Sequence, residues 1–173
     1  MSDRYPRALG ISFTLLSVMR VLNLIAGAVL VASFLASFIF EPVFVDFFSK
    51  DPSRVNPGLL IGTVRLWMVL ALPMIGAIHI LLSRLLSIVE TVRRGDPFVP
   101  ENAVRMKTIA WCLLVVQILY LTFAVMAAIM NAAGSRMNWT FSITGWVAVV
   151  LLFVLARVFE EGTCIRADLE AMV

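Results

Sequence analysis

Residues 108–130, TIAWCLLVVQILYLTFAVMAAIM, contain no charged side chain. A helix of that length rises roughly 35 Å at about 1.5 Å per residue, enough to cross the roughly 30 Å hydrocarbon core of a bilayer. Three more runs share this character, at about 11–40, 59–89 and 140–156, the second being most apolar at LWMVLALPMIGAIHILL. Only helices and closed barrels satisfy their own backbone groups in lipid, and these runs far exceed the roughly ten alternating residues of a membrane strand. Charged residues make up 14% of the chain, against roughly 25% in soluble domains. The fold class expected is all-α: an integral membrane bundle of four transmembrane helices forming one domain over residues 1–173.

Orientation follows from the basic residues beside the spans. Placing the N-terminus inside puts Arg4, Arg7, Arg84, Arg93, Arg94, Arg105, Lys107, Arg157 and Arg166 on the cytoplasmic side, with Lys50, Arg54 and Arg136 outside. Nine against three predicts cytoplasmic N- and C-termini, a cytoplasmic loop at 90–107, outer loops at 41–58 and 131–139, and a cytoplasmic tail at 157–173. Trp67, Trp139 and Trp146 then fall toward the outer interface and Trp111 toward the inner one. Arg4 and Arg7 precede the first run as they would in a signal peptide, but the run is too long and three spans follow, so it reads as retained.

The loops are too short to fold alone, so activity must reside in the bundle or its rims. A single histidine rules out HExxH, and the chain has neither a GxSxG elbow nor a glycine-rich phosphate loop. No catalytic, cofactor or metal residue is assigned, and the reading is non-enzymatic. Cys112 and Cys164 are not placed for a structural disulfide. The formal charge of +3 gathers on one face beside anionic lipid and does not imply direct nucleic-acid contact. The outer segment around Val43 to Phe48 suits the bilayer surface. Asn138, Trp139 and Thr140 form a glycosylation sequon, relevant only in a eukaryote.

Ionisable and amide groups within spans are expensive. Arg20 and Asn23 on the first span, His79 on the second and Gln117 on the third form a candidate intramembrane polar cluster; Arg65 reads as snorkelling outward. Fixing helix register is the simpler role for the cluster, and a proton-sensitive switch at His79 the sharper one. Alanines at 28, 32 and 36, and at 124 and 128, permit close packing within the bundle or in a homodimer.

The charge-rich stretch RRGDPFVPEN, residues 93–102, reads first as a helix stop and start. Arg93 and Arg94 complement the last turn of one helix, Gly95 suits a left-handed C′ position, Pro97 blocks continuation, and Pro100 opens the next helix with Glu101 in its first turn. Phe98 is placed to fold onto Ala103 or Val104 as a staple. A reversal does not by itself demand Asn102 and Arg105, which share a face.

With Lys107 and the ending VFEEGTCIRADLEAMV, these residues resemble the domain of unknown function 2975 family over the length of the chain. Gly95, Pro97, Phe98, Asn102, Arg105 and Lys107 match its loop, while Ala110 replaces a frequent glycine. The resemblance implies a small multi-pass protein of the bacterial inner membrane, often encoded beside a helix-turn-helix regulator of the Cro/repressor type. The function expected is regulatory: binding or sequestering such a regulator at a docking loop of Arg93, Arg94, Gly95, Pro97, Phe98, Asn102, Arg105 and Lys107, with the tail acids Glu160, Glu161, Asp168 and Glu170. A small transporter or permeability factor, or an immunity or stress protein binding a membrane-active peptide, are the competing readings. The expected surroundings are the lipid bilayer, that regulator and, as an open option, a second copy of the chain.

Overall fold

The computed structural model describes residues 4–49, 56–132, 134 and 142–171. They form five helices: α1 (Arg4–Ile39), α2 (Glu41–Ser49), α3 (Pro57–Arg93), α4 (Pro100–Ala132) and α5 (Ile143–Ala171). No strand occurs among the described residues. Four helices are long and apolar enough to cross a membrane, making this a multi-pass membrane protein. Lys50, Arg54, Arg136, Trp139 and the Asn138–Thr140 sequon lie outside the described residues.

The helices overrun the apolar stretches that define the spans. Residues 101–107 and 157–171 are helical rather than loop or tail, because a helix satisfies its backbone internally whatever surrounds it. The 41–58 segment begins with α2. Asn56 caps α3, its Oδ1 accepting from the Gly58 amide at 2.8 Å, with Pro57 opening the helix.

Neighbours in sequence are neighbours in space: α1 packs on α3, α3 on α4 and α4 on α5, each pair antiparallel, while α2 leans on α1 and α3. Among the described residues no backbone approach closes α1 onto α4 or α5. The four long helices form an open row with α1 and α5 as its edges. The α3–α4 turn, the start of α1 and the end of α5 share one end.

Burial follows position in the row. Among residues 9–39 of α1 only Ser37 is buried, whereas α4, flanked on both sides, buries Ile109, Ala110, Cys112, Phe123, Ala127 and Met130. Ala28 and Ala32 are exposed; the close approach of α1 to α3 is made at Gly27, where an added Cβ would lie 3.2 Å from Ile75. Beside it, Asn23 Nδ2 donates to the Ile75 carbonyl at 3.1 Å.

Candidate functional site

The stretch RRGDPFVPEN closes α3 with both hydrogen bonds of a Schellman motif: Gly95 N–H to the Val92 carbonyl at 3.1 Å and Asp96 N–H to that of Thr91 at 3.2 Å. Gly95 has φ +88, where a Cβ would be strained. Pro100 then opens α4, so residues 94–99 alone reverse the chain.

Asn102 sits under this turn and is 0% exposed. Its Nδ2 donates to Thr91 Oγ1 at 2.8 Å and to the Pro97 carbonyl at 2.9 Å. Thr91 passes its own proton to the Ile88 carbonyl at 2.7 Å. Arg105 Nη1 donates to Asn102 Oδ1 at 2.8 Å and reaches the Ser87 carbonyl at 3.3 Å. One amide thus ties the turn, the end of α3 and the start of α4 together. Asn102 offers a docking partner no surface, and Arg105 is half-buried; both belong to the clasp beneath the loop.

The outer face is built jointly with α5. Phe98 stacks on Phe159, centroids 5.5 Å apart and planes 24° from parallel, and lies over Gly162, where an added Cβ would meet the ring at 3.9 Å. Asp96 pairs with Arg166 Nη1 at 2.6 Å. The loop and the chain's ending form one assembly, with Phe98 still 47% exposed.

Around this platform Glu90 pairs with Arg94 at 3.1 Å and Arg93 at 3.6 Å, and Arg93 also lies over the Phe13 ring at 5.4 Å. Arg157 pairs with Glu160 at 3.0 Å. Lys107 lines a groove of about 560 Å³ between α4 and α5, with Val104, Phe153, Arg157 and Cys164. Thr91 and Ser87 carry no signal in the sequence, whereas Asp96 lies inside RRGDPFVPEN and Phe159 and Gly162 inside the C-terminal motif.

The four intramembrane residues are not joined to one another by hydrogen bonds. Asn23 binds α3 backbone, and Arg20 faces a recess between α1 and α3. His79 Nδ1 is buried without a hydrogen-bond partner. Gln117 lies across the α4–α5 seam, where a Cβ on Gly145 would fall within 2.6 Å of three of its side-chain atoms. Gly145→Val is therefore expected to push aside the end of the flexible Gln117 side chain and to destabilise by only about 1 kcal/mol, and Gln117→Ala in that background to restore most of it. Denaturant titration of the four proteins of this cycle checks the coupling, and additive effects would refute it. Among the described residues no three His, Cys, Asp or Glu side chains are grouped to hold a metal ion.

A family model described as Protein of unknown function (DUF2975) matches residues 65–173, from the early part of α3 through α4 and α5, with α1 and α2 outside the matched region. No curated protein and no solved structure matches the chain.

Proposed function

This chain belongs to the DUF2975 family, and on that premise we propose that it is a non-enzymatic regulatory membrane protein whose turn end holds a small cytoplasmic helix-turn-helix regulator, in the bacterial inner membrane. One observation carries this reading: the loop and the ending meet through Phe98–Phe159 and Asp96–Arg166. A simple reversal needs Gly95 and Pro100; joining a distant segment to it builds an outward surface.

That surface has the mixed character of a docking face. It presents the half-exposed Phe98 ring beside exposed Arg93 and Arg94 on one flank and exposed Glu160 and Glu161 on the other. The excess of basic residues at this end supports its cytoplasmic placement. The open row encloses no lumen between α1 and α5 among the described residues, which weighs against the transporter reading.

The test is a crosslinked pull-down from native membranes, comparing the wild type with Arg93→Ala/Arg94→Ala/Phe98→Ala and identifying captured proteins by mass spectrometry. A small helix-turn-helix protein recovered with the wild type and reduced at least about tenfold with the variant is expected, as for loss of an aromatic and arginine anchor set. Equal recovery with both, or no such protein with either, overturns the reading.

A further inference from the structure

A second feature at the same end stands independently of the platform. Between α1 and α3, reaching Arg105 of α4, lies an open recess of about 410 Å³, within the size range of small-ligand sites. Its walls carry three guanidiniums, from Arg20, Arg94 and Arg105, and the hydroxyl of Ser17. Glu90 is the one carboxylate on the lining, and it is already engaged by Arg93 and Arg94. Arg105 bonds only the neutral oxygens of Asn102 and Ser87. Arg20 and the Ser17 hydroxyl have no polar partner among the described residues. The recess thus holds two guanidiniums that are not paired with a carboxylate, one of them that of Arg20, an exposed residue on an apolar span.

An uncompensated arginine within a span is costly, and a guanidinium fork suits phosphate oxygens in two-pronged contacts. Basic pockets between membrane helices at the cytoplasmic interface are suited to anionic head groups. We infer that this recess binds a phosphate group, held by Arg20 and Arg105 with Ser17 as a further donor, and supplied by an anionic phospholipid head group or by soluble phosphate. The recess opens beside the exposed apolar surface of α1, so a head group enters without its acyl chains leaving the bilayer.

The full-length protein is purified in zwitterionic detergent and given phosphatidylglycerol in phosphatidylcholine mixed micelles. Retained lipid is read by native mass spectrometry, and the thermal midpoint is read with inorganic phosphate alone. The wild type is expected to retain phosphatidylglycerol over phosphatidylcholine, and Arg20→Gln to reduce that retention at least about tenfold, the scale of one charge-assisted contact. Ser17→Leu fills the recess without altering charge and should do the same. Arg84→Gln, an exposed arginine on α3 that does not line the recess, should not. Retention that inorganic phosphate does not displace identifies a lipid site. Displacement, or a midpoint rise with phosphate alone that Arg20→Gln abolishes, identifies the soluble ion. Retention unchanged by Arg20→Gln, or neither retention nor a midpoint rise in the wild type, overturns the inference. Arg20 supports no contact inside the chain, so unliganded midpoints should agree between wild type and Arg20→Gln.

Discussion

Asn102→Ala is expected to cost about 3 kcal/mol of stability, the loss of three side-chain hydrogen bonds at about 1 kcal/mol each, and to loosen the turn end ahead of the rest of the protein. The side chain is 0% exposed, so water cannot simply replace it. Its removal leaves the Pro97 carbonyl without its side-chain donor and takes from Arg105 its better acceptor, since the remaining contact, to the Ser87 carbonyl, is the longer one at 3.3 Å. Thr91→Val is the graded control. It removes one partner of Asn102 while sparing the contacts to Pro97 and Arg105, and should cost about 1 kcal/mol. Denaturant titration in mild detergent reads the stability, and limited proteolysis at residues 94–99 reads the local loosening. A loss for Asn102→Ala no larger than for Thr91→Val would mean that the clasp does not hold the turn. Because the Phe98–Phe159 stack rests on this base, the same variant should also release a docked regulator without touching the surface that contacts it.

The spans were readable because their cause is local. An uncharged stretch such as 108–130 has one solvent that suits it, and α4 covers it. The punctuation of RRGDPFVPEN was equally local, since a positive φ at Gly95 and the missing amide of Pro100 are properties of single residues. The clasp was not, because Asn102 meets Thr91 and Ser87 only once α3 and α4 have paired in a definite register, which no short window encodes. Phe98 illustrates the same limit. The staple rule looks only along its own helix, whereas the ring of Phe159 is a partner that the packing of α5 brings to it. Pro100 and Glu101 mark the helix start ahead of the apolar span at 108, and α4 does begin there, since glutamate, alanine, arginine, methionine and lysine are good helix formers outside lipid. For Arg65, hydropathy shows a charge near an interface, but the end of a different helix beside it becomes visible only once α1 and α3 have packed.

That arginine sets the second large effect. Arg65 Nε donates to Ser37 Oγ at 3.2 Å, its Nη2 donates to the Ser37 carbonyl and lies 3.7 Å from Glu41 Oε2, and its guanidinium stands 4.1 Å above the Phe38 ring. The Ser37 carbonyl belongs to the last turn of α1, where carbonyls lack an amide from their own helix, so the guanidinium serves as a cap supplied by α3. Glu41 is well exposed and its ion pair adds little; the bonds to Ser37 and the contact with Phe38 carry the effect. Arg65→Met keeps the apolar stem and removes the head, and is expected to cost about 2 kcal/mol. Lysine should recover less than half of that, because one ammonium cannot reproduce the fork while covering the ring. The loss should also be local. As an edge helix, α1 is held to the row through α3, at Arg65, at Asn23 and Gly27, and by the contact of Phe13 with Arg93. Hydrogen exchange should therefore rise at residues 34–45 while α4 and α5 stay protected. Uniform acceleration across all helices, or a lysine variant equal to wild type, would remove the clamp from the account. The expected pattern would instead show that α3, α4 and α5, the helices of the family match, stand as a unit to which α1 is fastened. Since Arg20 and Ser17 lie between the contacts that Phe13, Asn23 and Gly27 make with α3, the recess they line should stay closed by α1 in the Arg65 variants, as should the Phe98 platform.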